Sequence, residues 1–201
     1  HTQRRRQRQM CIRDRDTARK LVKDAAQLVS RGSADVLVRI NRPLRMAVAD
    51  IESSIWPEVC GLVLPKVDSA DQINFLCEII TELEEERGLD IGHTKLMVLI
   101  ETPRGYSNVR SIASSSKRLS AIALGQEDFS AEMGMIEPEG MSLLSYYQTV
   151  QVAAREAGIL PIGYPGSIAE FTDLDLFRSN AMVARRLGSV SYTHLRAHET
   201  V

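Results

Sequence analysis

The sequence predicts an α/β protein with a parallel sheet, a (β/α)8 TIM barrel of which about five strands are visible. Short, nearly continuous apolar runs ending in polar or glycine residues alternate with segments of helical period, the pattern of strands buried on both faces. The strand starts at 36, 61, 96, 121 and 159 are spaced 25, 35, 25 and 38 residues apart. Eight such units need about 250 residues, so the five within residues 16–188 fit an incomplete barrel. A doubly wound open sheet fits the same pattern, although the chain carries neither a GxGxxG nor a GxxxxGK[ST] loop to favour nucleotide binding.

Taken in order, the first helix covers 17–29, with Ala18, Leu21, Val22, Ala25, Leu28 and Val29 on one stripe. Strand VLVRIN (36–41) follows, then a weaker helix over 45–58 with a short stripe, then strand GLVLPKV (61–67). In DQINFLCEIITELEEERG, Ile73, Leu76, Ile79, Ile80 and Leu83 share a face, and Gly88 stands where a helix C′ glycine belongs. The acidic run Glu84–Glu86 reads as a solvated face of this helix. Strands LMVLIET (96–102) and AIALGQED (121–128) come next. A helix over 141–157 aligns Leu143, Leu144, Tyr147, Val150 and Ala154 and is closed by Gly158. Strand ILPIGY (159–164) and a helix over 169–187 with Leu174, Phe177, Ala181, Ala184 and Leu187 complete the pattern.

Composition narrows the function. The 201 residues are 44% hydrophobic and 25% charged, as in a globular domain. No apolar run approaches the length of a membrane span, and the arginine-rich start lacks the apolar core of a signal peptide, which reads as cytoplasmic with no membrane partner. Cys11, Cys60 and Cys77 are too few and too scattered for a disulfide framework or thiolate metal site. The net charge of −1 conceals a contrast: residues 1–15 hold six arginines against Asp14, while 16–188 are net acidic. A basic arm can meet phosphates, but this one lacks interleaved aromatics and joins an acidic body, so nucleic acid is not an expected partner. Residues 1–15 and 189–201 show no apolar period and read as extraneous tails flanking a partial domain at 16–188. Three of the four histidines fall in those tails, leaving His93, which is expected at the surface ahead of a strand.

In either parallel fold, chemistry gathers at the carboxyl ends of the strands. Those ends carry Arg39 and Asn41, Pro65 and Lys66, Glu101 and Thr102, and Gln126, Glu127 and Asp128. Two carboxylates from neighbouring strands beside an arginine and a lysine suit a hard divalent cation and an anionic substrate, since Mg2+ takes one or two carboxylates and completes its shell with water and substrate oxygens. Ordinary salt bridges, Glu101 with Arg39 or Arg104, account for the same residues equally well. Glu127 is either a partner orienting Asp128 or Arg39, or a solvated glutamate. Gly105, Gly125 and Gly134 are expected at tight strand-to-helix turns. Trp56 and Tyr146–Tyr147 are expected to pack rather than to stack on a ligand.

The segments VLVRINRP, GLVLPKVDSADQI, LMVLIETPRGYSNVRSIA, ALGQEDFSAEMG and GSIAEFTDLDLFRSNAMVARRLG occur in this order across nearly all of 16–188. Together they resemble the HpcH/HpaI aldolase and citrate lyase β-subunit superfamily, in its CoA-ester lyase branch. The resemblance implies a TIM barrel, usually oligomeric, with Mg2+ held by the glutamate of LIET and the aspartate of the ED pair, here Glu101 and Asp128. It also implies that Arg39 meets the substrate's carboxylate or keto oxygen and that Lys66 contacts substrate or CoA. The implied reaction is Mg2+-dependent cleavage of a 3-hydroxyacyl thioester of citryl-CoA or malyl-CoA type, carried on CoA or an acyl carrier, by a homo-oligomer. A metal-dependent pyruvate-type aldolase of the same superfamily is the alternative, although GQEDFSAEMG is closer to the lyases; a non-catalytic fragment is the third reading. Family strands resembling RSxLFVPG, LEDAV and AIHP have no counterpart here. Five strands without them are expected to expose two sheet edges and apolar interior, and so to fold poorly alone.

Overall fold

A computed structural model describes residues 15–135, 143–163 and 173–190. The elements in chain order are α1 (Arg15–Ser30), β1 (Val36–Arg39), α2 (Leu44–Ser54), β2 (Val59–Leu64), α3 (Ala70–Glu86), β3 (Lys95–Ile100), two single turns α4 (Pro103–Ser107) and α5 (Val109–Ala113), β4 (Leu119–Leu124), α6 (Gln126–Glu132), α7 (Leu144–Glu156), β5 (Leu160–Ile162) and α8 (Leu174–Arg186). The ends of the expected segments at 141–142, 164 and 169–172 lie outside the described residues, as do residues 1–14 and 191–201 of the tails expected at 1–15 and 189–201.

The five strands form one parallel sheet in the order β1-β2-β3-β4-β5. Each strand pairs with its neighbour in sequence, as in part of a barrel wall. A doubly wound sheet reverses direction at a switch point, and this order contains none. The strands therefore present all their carboxyl ends along one rim in chain order.

Alternation along the strands separates two faces. Leu62, Leu64, Leu96, Val98, Ile100, Ile122 and Leu124 are buried together with Ile51, Ile55, Ile73, Leu76, Ile80, Ile112, Val150 and Ala154 of the helices. Burying each large aliphatic side chain contributes about 1.5–3 kcal/mol, so this sheet–helix layer is the core. Val63, Met97 and Leu99 point the other way and are half-buried. On the outer strands, Leu37 is 51% and Leu160 47% exposed. Among the described residues β1 and β5 are each paired on one side only, which leaves the two edges and the partly open interior that the sequence leads one to expect.

Four sequence expectations are corrected. Glu84 is not solvated: it is fully buried and accepts from both Nη atoms of Arg118 at 2.8 and 2.6 Å and from the N–H groups of Thr94 and Gly92 at 2.8 Å each. Arg118 also donates to Thr81 Oγ1. This cluster ties α3 to the amino ends of β3 and β4, the end of a parallel barrel that serves stability. Only Glu85 and Glu86 face solvent. His93 is half-buried, with its Nε2 enclosed and unpartnered.

The expected apolar stripe of α1 is turned outward. Leu21, Leu28 and Val29 are more than half exposed, and Ala26 is the buried residue, because no described element covers that face. Finally, the strands end earlier than expected, at Leu64, Ile100 and Leu124, and α2 stops at Ser54. Lys66 leaves the extended region at φ +50°, Thr102 caps α4 by accepting from the Gly105 N–H, and α6 starts at Gln126. Glu127 and Asp128 thus project from a first helical turn, not from a strand.

Trp56 packs between Lys23 and Arg87, whose cations lie 4.1 and 4.2 Å from the centroid of its ring. Tyr146 packs edge-on with Tyr106 and Phe129. Both agree with packing roles. Cys60 and Cys77 are free thiols, and Cys11 lies outside the described residues.

Candidate active site at the strand rim

Four successive strands deliver four charged side chains to one place. Arg39 ends β1, Lys66 follows β2, Glu101 follows β3 and Asp128 sits in the first turn after β4. Glu101 is the fixed point: it is 3% exposed, its Oε2 accepts the backbone N–H of Lys66 at 2.8 Å, and its Oε1 lies 3.6 Å from Nη2 of Arg39. Nζ of Lys66 lies 2.8 Å from Oδ1 of Asp128 and 3.8 Å from Oε1 of Glu132.

The backbone makes room for this carboxylate. A Cβ on Gly125 would stand 2.4 Å from Cγ and 2.8 Å from Oε1 of Glu101, so only glycine leaves the side chain its position. A Cβ on Gly105 would fall 2.3 Å from the carbonyl oxygen of Val67, and glycine therefore lets the turn after β3 lie against the loop after β2. Gly134 sits at φ +67° where α6 ends.

Burial pushes the Glu101 carboxyl above the usual carboxylate range. The Lys66 N–H, the Arg39 charge and the Lys66 ammonium act in the opposite direction, and the charge of Asp128 adds to the rise. Burial thus outweighs the groups that favour its charged form. Lys66 is shifted upward, first by its hydrogen bond to Asp128 and then by the charges of Asp128, Glu101 and Glu132, against the effect of burial.

Fit to a divalent cation rests on the donor set. Two carboxylates, one buried and the other half-exposed at the rim, match the one or two that Mg2+ takes, with the remaining positions left to water and substrate oxygens. Among the described residues no group of three or more His, Cys, Asp or Glu side chains is placed to hold a metal, so a site with a larger set of protein ligands is not formed by them. The ammonium of Lys66 lies on Asp128, a positive charge beside the two carboxylates.

Of the residues expected from sequence, Arg39, Lys66, Glu101 and Asp128 are brought together. The expected alternative of an Arg39–Glu101 ion pair is present in the geometry, without displacing the other contacts. Glu127 is exposed and its Oε1 accepts from the side-chain amide of Gln126 at 3.4 Å. Asn41 is held by a residue the sequence reading passed over: Asp50 of α2 accepts from its N–H at 2.7 Å, from its Nδ2 at 2.6 Å and from Nε of Arg19 at 2.8 Å. The signal was an acid on the apolar face of α2 beside Ala47, Ile51 and Ser54, all buried. Thr102 was expected at its strand end, but its partner Asp68, to which it is hydrogen-bonded, was passed over because it lies just beyond the expected strand 61–67.

Five parallel strands in chain order, with their carboxyl ends along one rim, define part of a (β/α)-barrel wall, the fold class in which sites gather at that rim. Residues 9–194 match the HpcH/HpaI aldolase/citrate lyase family, and the chain belongs to that family. It is 36% identical over 150 residues to citrate lyase subunit beta of Leuconostoc mesenteroides, covering 74% of this chain and 50% of that protein. It is 29% identical over 199 residues to the L-malyl-CoA/beta-methylmalyl-CoA lyase of Rhodobacter capsulatus, covering 88% and 62%. The chain thus spans about half to three-fifths of the length of these relatives. Its fold is similar to that of the citrate lyase beta subunit from M. tuberculosis complexed with oxaloacetate and magnesium, at a TM-score of 0.61 and 21% identity over 76% of this chain and 64% of that one.

Proposed function

We propose that the intact protein is a carbon–carbon lyase that cleaves a 3-hydroxyacyl thioester of citryl-CoA or malyl-CoA type into a keto or aldehyde acid and an acyl thioester. The observation that carries this reading is the buried Glu101 carboxylate, fixed by the Lys66 N–H and set between Arg39 and the Lys66–Asp128 pair. Two relatives named as lyases of citrate and of malyl-CoA esters support the reaction class, and the magnesium complex of a similar fold supports the metal.

Glu101 and Asp128 would hold the cation, which when bound supplies Lewis acidity to substrate oxygens. The reaction breaks the bond between the carbinol carbon and the carbon next to the thioester. The hydroxyl loses its proton, its oxygen becomes the new carbonyl, and the bonding pair passes to an acyl-thioester enolate that is then protonated. Arg39 offers a fixed fork of donors to the negative oxygen of the carboxylate or keto group. Lys66, kept protonated by its carboxylate neighbours, supplies positive charge to the anionic substrate and cannot be the proton acceptor in that state. The net acidic body makes this local pair of cations the attraction for an anionic ester. The carrier is CoA or an acyl carrier, and the working form is a homo-oligomer.

The test is release of keto or aldehyde acid from citryl-CoA and malyl-CoA by the full-length protein, with Mg2+ and with chelator. Cleavage should require Mg2+ and fall on the order of 10²-fold or more in Glu101→Gln and Asp128→Asn. Undiminished cleavage under chelation would overturn the metal assignment, and turnover of a free hydroxy keto acid to pyruvate without any CoA ester would replace the lyase by an aldolase.

A further inference from the structure

We propose that Asp68 is a positioning residue of the strand-rim site: it clamps the loop after β2 onto the loop after β3 and thereby keeps the Lys66 N–H on Glu101. The consequence for cation binding rests on the function proposed above, whereas the clamp itself does not.

Asp68 reaches three successive strand ends. Its Oδ1 accepts from Oγ1 of Thr102, the residue directly after Glu101. Its Oδ2 accepts from Nη2 of Arg42 beyond β1 at 2.7 Å. Its own carbonyl accepts from Nδ2 of Asn108 at 2.9 Å, and its N–H donates to Oε1 of Gln72 at 3.2 Å. Both the side chain and the backbone of one residue are thus committed to holding the Lys66–Ser69 loop in place. The loop needs holding, because Lys66 stands at φ +50°, a backbone state that non-glycine residues adopt only when their surroundings impose it. That state aims its N–H at Glu101.

Of the two side-chain contacts, the Arg42 pair is half exposed on the arginine side and contributes little in solvent. The Thr102 hydroxyl is the stronger link. It donates to Asp68 and accepts from the Gly105 N–H, so it couples Asp68 to the turn on which Glu101 stands. Gly105 in turn lies against Val67 without a Cβ between them. The chain from Asp68 through Thr102 to Glu101 closes on the Lys66 N–H, making a ring of contacts in which losing one member loosens the rest. Partners of this kind behind a metal ligand typically change affinity 10–100-fold when removed.

The test uses the full-length protein and three readouts: hydrogen-exchange protection of the Lys66 amide without metal, binding of Mn2+ alone, and thermal midpoint. In Asp68→Ala and in Thr102→Val, Lys66 protection should drop about tenfold or more and Mn2+ binding weaken roughly tenfold. The double variant should be no worse than either single one, and Thr102→Ser should restore both readouts. Unchanged Lys66 protection in both single variants, or a double variant whose loss is the product of the two, would overturn the proposal. If Asp68→Ala does not fold, Thr102→Val, which keeps the side-chain shape, decides the matter on the same readouts. Loss of Lys66 protection in a protein whose wild type binds no Mn2+ would support the clamp and refute the cation assignment.

Discussion

The backbone N–H of Lys66 donates to Oε2 of Glu101 at 2.8 Å, so the carboxylate that follows β3 is oriented by the chain that follows β2. One residue serves the rim twice, through its N–H on Glu101 and through its ammonium on Asp128. The two carboxylates of the candidate site therefore share Lys66.

Lys66→Met separates these two duties, because it keeps the N–H and removes the charge. The lost ion pair is partly exposed and worth about 0–1 kcal/mol, which corresponds to a shift of no more than a few degrees in the thermal midpoint. Activity toward a CoA ester should nevertheless fall on the order of 10²-fold in kcat/KM. Calorimetry and steady-state kinetics on the full-length protein measure both; an unchanged kcat/KM would remove Lys66 from the substrate's surroundings.

Gly125→Ala tests the room left for Glu101. The added methyl would fall 2.4 Å from Cγ and 2.8 Å from Oε1 of the buried carboxylate, and overpacking of this kind costs about 1–3 kcal/mol. Displacing Glu101 should cost activity about as much as Glu101→Gln does, while the far end of the barrel stays intact. Wild-type turnover in Gly125→Ala would show that Glu101 can move without consequence.

The buried Glu84–Arg118 pair predicts an acid-sensitive contribution to stability. Burial acts to raise the Glu84 carboxyl, but the Arg118 hydrogen bonds and the N–H groups of Thr94 and Gly92 outweigh it and hold the group below the usual value of 4.5. The unfolded chain then binds the Glu84 proton at a higher pH than the folded chain does. Stability from this site is fully present above the unfolded value and is lost as pH falls through the lower folded one. Arg118→Met strands a buried carboxylate and should cost about 3–5 kcal/mol at neutral pH. In urea unfolding this deficit should shrink toward acid, where the stranded group takes up a proton; a deficit constant from neutrality to about pH 3 would exclude the pair as its source.

Legibility in the sequence followed the range of the interactions concerned. Arg39, Lys66, Glu101 and Asp128 were visible because each sits at or just beyond a near-continuous apolar run, and a parallel sheet sends all such ends to one rim. Asp68 and Asp50 were not visible, since their roles are hydrogen bonds to residues 34 and 9 positions away. Glu84 was misread for the same reason. Its helical neighbours Glu85 and Glu86 are solvated, and only the return of the chain at Arg118, 34 residues later, takes Glu84 out of water.

By itself the sequence determined the alternation of strands and helices, the apolar sheet–helix core and the strand-end residues, because periodicity and side-chain chemistry are local properties. The tertiary structure alone decided that the strands run in the order β1 to β5, which excludes a doubly wound sheet. It likewise decided that Lys66 links Glu101 to Asp128, and that an apparently solvated glutamate anchors the amino ends of β3 and β4. Each of these depends on segments distant in the chain meeting in space, where burial and a partner's charge together set what a side chain does.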